Sequence, residues 1–201
     1  MIVLGLTGSI GMGKSTAAGF FREFGIPVHD SDATVHDLYS SEAASLIGAA
    51  FPGTFVDGGI DRQKLGQAVL DDAAALRRLE EIVHPLVRAR QAAFLEKART
   101  DGSDIVVLDI PLLFETGAAD RVDGVVVVTC DADEQRRRVL SRQDMTEAKF
   151  RAIVDRQTPD AEKRARADFI VDTGHSFDDT RRQLADILGA IRSGKWRPRR
   201  Q

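Results

Sequence analysis

Apolar positions along this chain keep two different periods. Ile2 to Leu6 is a short unbroken apolar run ended by Thr7 and Gly8, after which Ala17, Phe20, Phe21 and Phe24 recur at i, i+3, i+4 and i+7. That order predicts a strand, a loop and an amphipathic helix. Gly25 stands where a C′ residue belongs, and Ile26-Pro27-Val28 opens a second short strand with the proline at a tolerated edge or first position. Residues 33 to 100 carry helical patterns: Asp61 reads as an N-cap before Leu65 and Val69, Leu76 and Leu79 continue the period, and Pro85 suits a first helical turn. Only a turn-rich piece around Phe51 to Gly59 interrupts them. Ile105 to Leu108 and Val125 to Val128 are continuous, largely β-branched runs, as in strands covered on both faces of a parallel sheet, and Phe169-Ile170-Val171 adds another. Ser176 with Asp179 three residues on has capping-box spacing and opens a last helix from about Phe177 to Ile191. Strands alternating with helices predict an α/β fold, a doubly wound parallel sheet with one inserted helical region.

Composition narrows the class. The 201 residues carry 31 acidic and 28 basic side chains, a formal charge of −3, and one cysteine, Cys130. A single cysteine cannot make an internal disulfide, and four histidines without partner cysteines give no zinc spacing. No apolar run approaches the roughly 20 residues that span a bilayer, and the N-terminus has no basic leader, so a cytoplasmic protein without a membrane or nucleic-acid partner is expected. Two basic clusters stand out. Residues 131–166 hold ten of the 28 basic residues, and residues 194–201 form a basic tail expected to be disordered.

The segment Gly8-Ser9-Ile10-Gly11-Met12-Gly13-Lys14-Ser15 matches G-x-x-x-x-G-K-[ST] between a predicted strand and a predicted helix. Glycines let backbone N–H groups turn towards phosphate oxygens, the helix N-terminus adds partial positive charge, Lys14 reaches the outer phosphates and the Ser15 hydroxyl ligates Mg²⁺. Gly8, Gly11, Met12, Gly13, Lys14, Ser15 and Thr16 are therefore the nucleotide-binding candidates. The chain contains no asparagine, so the N-K-x-D element of regulatory GTPases is absent. A small-molecule kinase remains, with a nucleotide-binding module lacking phosphotransfer as the alternative of another class.

A right-handed β-α-β unit brings the end of the second strand to the edge of the sheet that carries the phosphate loop. His29-Asp30-Ser31-Asp32 follows that strand, which makes Asp32 a candidate base and Asp30 its neighbour; either aspartate could instead cap the helix beginning near Ala33. Asp109 ends the run from Ile105, from where a carboxylate can reach the magnesium, and the apolar loop after it could line a pocket or simply pack. Arg136, Arg137, Arg138 and Arg142 could form a solvated face. Arg138 and Arg142 are one turn apart, a spacing that also suits a polyphosphate clamp.

Taken together, Leu6 to Ser15, Asp30-Ser31-Asp32, Ile60-Asp61-Arg62 with Leu65 and Val69, Leu79 to Arg88, Asp109 to Glu115 and Ala167 to Asp172 resemble the dephospho-coenzyme A kinase family over nearly the whole chain. The resemblance implies ATP-dependent phosphorylation of the 3′-hydroxyl of dephospho-coenzyme A, with Mg²⁺, by a monomer or weak homo-oligomer. It implies a P-loop core over 1–32, 101–134 and 166–193, an acceptor region over 33–100 and a helical lid over 135–165. By the same resemblance Asp32 is the base, assisted by Lys14 and Arg142. Thr7, His84, Arg88, Pro111, Leu112, Leu113 and Glu115 lie on the acceptor side, Arg138 and Arg142 bind the ATP end, and Ser15 and Asp109 hold the metal. Thr173 stands where the family often has an asparagine near the adenine.

Overall fold

In the computed structural model, which describes residues 1–70 and 72–198, the N-terminal run is strand β1 (Ile2–Thr7), and helix α1 (Lys14–Glu23) and strand β2 (Val28–Asp30) follow. Next come α2 (Ser31–Leu38), α3 (Glu42–Ala50), β3 (Phe55–Val56), β4 (Gly59–Ile60), α4 (Arg62–Val69) and α5 (Ala73–Thr100). The order ends with β5 (Ile105–Asp109), β6 (Gly124–Thr129), α6 (Ala132–Leu140), α7 (Glu147–Val154), α8 (Asp160–Arg166), β7 (Phe169–Asp172) and α9 (Phe177–Arg192). The chain divides into two compact units, one of residues 1–29 with 98–201 and one of residues 30–97. Among the described residues no helix is long and apolar enough to cross a membrane.

The first unit is built on a five-stranded sheet in the order β2-β5-β1-β6-β7. β1 pairs in parallel with β5 and β6, and β6 with β7, in a register that sets Leu6 opposite Asp109 and Thr129 opposite Asp172. The unbroken apolar runs are fully covered, as parallel strands require. Leu4, Leu6, Phe21, Val126, Val128 and Leu184 share one core beneath α1 and α9. α1 ends in a Schellman motif: Gly25, at φ 76°, donates to the Arg22 carbonyl and Ile26 to that of Phe21. α9 opens with Ser176 accepting the Asp179 amide, as its spacing predicts. The tail meets the sheet at Trp196. Trp196 donates its amide to the Ala190 carbonyl, and its ring lies 5.1 Å from that of Phe169 and beside Gly124, so this residue rests on the sheet edge. The indole is half-buried there, between exposed basic neighbours. Residues 199–201 of that predicted tail lie outside the described residues.

The second unit has its own core, in which Leu38, Ile47, Phe51, Leu65, Leu79 and Val83 come together. Asp61 caps α4 by accepting the Gln63 and Lys64 amides. The turn-rich piece closes as the two-stranded hairpin β3-β4, too short to leave an alternating pattern. Pro85 does not begin a helix. It lies inside the 28-residue α5, where flanking turns that pack Leu79, Val83 and Leu86 into the core hold the helix across the missing N–H.

Candidate active site

The loop from Gly8 to Gly13 connects β1 to α1. Gly11 and Gly13 have φ of 79° and 84°, a region that L side chains avoid. A Cβ on Gly8 would stand 2.4 Å from Val128 Cγ2, and one on Gly13 2.9 Å from Thr173 Oγ1, so these positions also lack room. The loop therefore follows β6 and the β7–α9 turn at backbone distance. Met12 is buried behind it, its thioether sulfur 3.1 Å from the Cys130 amide. α1 begins at Lys14 with no side-chain cap and no acid in its first turn. The amides of Lys14, Ser15 and Thr16 thus start a helix whose partial positive charge no carboxylate in that turn offsets, the arrangement that binds anions. Ser15 is exposed there.

Register across β1 and β5 brings Asp109 to the loop. Its carboxylate is buried and forms an ion pair with the Lys14 ammonium. Asp109 therefore ties the end of β5 to Lys14, the first residue of α1 and the sequence neighbour of Ser15. Among the described residues no cluster of three or more His, Cys, Asp or Glu side chains is placed to hold a metal alone.

Thr7 is fully buried and donates to the Pro111 carbonyl at 3.1 Å, which ties the end of β1 to the loop after β5. In that loop Leu112 is exposed, but Leu113 and Phe114 are buried against Val125 and Val127. Leu113 thus packs in the core beside two valines of β6, where an apolar side chain is most stable. Glu115 ties this loop to α8 and to the segment before it. It accepts the Thr158 amide at 2.7 Å and pairs at 3.2 Å with the fully buried Lys163. Burial pushes its carboxyl up, but the Thr158 amide, its own amide and the Lys163 ammonium outweigh this and hold it below the usual range.

The two candidate arginines differ. Arg138 is engaged by Glu134 at 2.6 Å and by the Thr173 hydroxyl and carbonyl at 3.0 and 2.6 Å. Arg137 first, and Arg138 with it, hold Glu134 at about 2 despite an opposing desolvation effect. The Arg142 side chain is exposed and makes no hydrogen bond or ion pair with the described residues. Thr173 also donates its hydroxyl towards the Met12 and Thr129 carbonyls, at 3.0 and 3.2 Å, which ties the β7–α9 turn to the loop.

In the second unit the two aspartates separate. Asp30 caps α2 through the Ala33 amide at 2.9 Å, whereas Asp32 is exposed in the first turn and is not the cap. His84 and Arg88 are exposed one turn apart on α5. Sequence reasoning missed Gln135, Gln157 and Lys163. Gln135 donates to the Ile10 carbonyl at 2.8 Å, and Gln157 accepts the Ile10 amide at 3.1 Å. One neutral polar residue inside the charged run from Asp133 to Arg138 was the one signal available for Gln135; nothing local marked the other two.

Residues 2–179 match the family model described as dephospho-CoA kinase. A dephospho-CoA kinase of Mesorhizobium japonicum is 62% identical over 192 residues, covering 96% of this chain and 98% of that one. One of Rhizobium etli is 58% identical over 192 residues, 96% of this chain and 95% of its own. Among solved structures, a Thermus thermophilus protein aligns with a TM-score of 0.84 at 35% identity, over 94% of this chain and 97% of its own. A Campylobacter jejuni dephospho-CoA kinase aligns at 0.72 and 26%, over 96% and 98%.

Proposed function

Since the chain belongs to the dephospho-CoA kinase family, we propose a division of labour among its residues in that family's reaction. The reaction transfers a phosphoryl group from ATP to the 3′-hydroxyl of dephospho-coenzyme A, giving coenzyme A and ADP. The observation that carries the reading is an uncapped helix N-terminus behind a glycine loop, with Lys14 held on a buried Asp109, in a chain that matches this family over residues 2–179.

In this reading the loop amides from Gly11 to Thr16 bind the phosphates, and Lys14 stabilises charge that develops on the transferred group. Magnesium, when bound with the nucleotide, neutralises phosphate charge. Ser15 and Asp109 offer hard oxygen donors, the chemistry magnesium prefers, and would be the residues that hold it. Asp32 accepts or orients the acceptor hydroxyl's proton; that Asp30 already serves as the cap supports giving Asp32 this work. Exposed His84 and Arg88 suit the anionic acceptor, together with Pro111 and Leu112. Exposed Arg142 binds the ATP end, with Arg138 shaping the turn beside it. The protein works in the cytoplasm on small molecules, as a monomer or weak homo-oligomer, and its charge of −3 supports this over a nucleic-acid partner.

ADP release measured over dephospho-coenzyme A, AMP, CMP, shikimate and no acceptor tests the reading. Release specific to dephospho-coenzyme A is expected, and equal release with and without it would overturn the assignment.

A further inference from the structure

Ile10 sits at the apex of the phosphate loop, and both of its backbone polar groups are taken by side chains far away in sequence. Met12 donates to the Ser9 carbonyl at 3.1 Å, and Gly11 at the third position has φ 79°, which makes Ser9 to Met12 a type II turn. Type I and type II turns differ by a flip of their central peptide, here Ile10–Gly11. Gln135 donates to the carbonyl of that peptide at 2.8 Å, and a trans peptide directs its N–H opposite to its C=O. With the Ile10 carbonyl turned to Gln135, the Gly11 amide points away from α6. Gln157 accepts the Ile10 amide at 3.1 Å and closes the other side of the turn.

Both glutamines are themselves anchored. Gln135 is 8% exposed on α6, and that helix packs so closely that a Cβ on Gly11 would lie 2.5 Å from Val139 Cγ2. Gln157 precedes Thr158, whose amide is held by Glu115, and Glu115 in turn pairs with the fully buried Lys163. The helical region expected to act as a lid therefore grips the phosphate loop at one point.

We propose that Gln135 and Gln157 are positioning residues that keep the phosphate loop pre-formed, fixing the Ile10–Gly11 peptide so that the Gly11 amide stays directed towards bound phosphate. The inference rests on the reading of this loop as the nucleotide site. Without the clamp the central peptide samples both orientations, and binding must select one, which lowers affinity by the fraction that is competent.

The test uses Gln135→Met and Gln157→Met, which keep side-chain length and remove the amide. Titration calorimetry measures ADP binding, and hydrogen exchange without nucleotide measures protection of the peptide covering residues 8–13. Each variant is expected to weaken ADP about ten-fold, the effect of losing one hydrogen bond of ordinary strength, and to speed exchange in that peptide. The KM for dephospho-coenzyme A should stay within about two-fold, since the lost bond acts on the nucleotide loop. Wild-type ADP affinity and loop protection in both variants would overturn the clamp, as would failure of the wild-type protein to bind ADP. Should Gln135→Met not fold, half-buried Gln157 decides by the same two readouts. A wild-type protein that binds ADP but does not phosphorylate dephospho-coenzyme A would sink the proposed reaction and leave the clamp to be judged on these measurements.

Discussion

Asp30 accepts the Ala33 amide and so takes the cap of α2, which relieves Asp32, two residues on, of any capping duty. The two positions should answer differently to substitution. Asp30→Ala should cost about 1 kcal/mol of stability, the usual loss for a cap, measured by urea denaturation. Asp32→Asn should stay within about 1 kcal/mol of wild type while kcat falls roughly 10²- to 10⁴-fold, the range for a lost general base. Phosphoryl transfer needs little base assistance, so the fall belongs near the lower end. An unchanged kcat with unchanged acceptor KM would return Asp32 to the helix surface. Lys14→Ala removes a charge paired with a buried carboxylate and aimed at the loop. It should abolish useful turnover and lower stability by roughly 1–3 kcal/mol, the cost of withdrawing a partner from a buried charge; near-wild-type turnover would contradict the loop's role. Arg142→Ala removes an exposed side chain. Its melting temperature should not move, while the KM for ATP rises and acceptor-independent ATP hydrolysis appears, because closure excludes water.

Segment by segment, α8 and the loop after β5 are joined by the Glu115–Lys163 pair, with Lys163 fully buried and its ammonium lacking a hydrogen bond of good geometry. Glu115→Gln leaves that buried charge without a counter-charge and should cost roughly 3 kcal/mol near neutral pH. Adding Lys163→Met should recover most of the loss, since an apolar side chain of similar length suits the same space. The pH dependence has a definite sign. The Glu115 carboxyl is held below its ordinary 4.5 in the folded protein, so its contribution is complete above that value and fades as pH falls through the lowered one. Thermal melts across the acid range should therefore show the wild type and Glu115→Gln converging at low pH. Elements closed by local rules were legible in the sequence: the Asp61 cap, the Schellman turn at Gly25 and the buried runs of β5 and β6 are each written within a few residues. Pro85 misled because only the packing of both flanks of α5 reveals that the helix continues through it. At the site, phosphate chemistry dictates the glycine and lysine spacing and makes it readable. Gln157 stands 147 residues from its partner Ile10, so no local pattern records that contact.

Over the whole molecule, the two compact units keep separate cores, one around β1, β6, α1 and α9 and one around Leu38, Ile47 and Leu79. Nucleotide bound at the phosphate loop stabilises by mass action, about 2.7 kcal/mol at a concentration 100 times the dissociation constant, and acts first on the unit that holds the loop. The chain contains one tryptophan and one tyrosine, and they fall in different units. Trp196 rests on Phe169 at the sheet edge, and Tyr39 packs beside the second core. The native protein thus carries one intrinsic fluorophore for each half. Excitation at the red edge of aromatic absorption lights only the indole, and with excitation further to the blue the phenol's emission, at shorter wavelength than the indole's, reports the other side. A denaturation series read in both channels, with and without ADP, will tell whether the halves come apart in one transition or two, with no label attached.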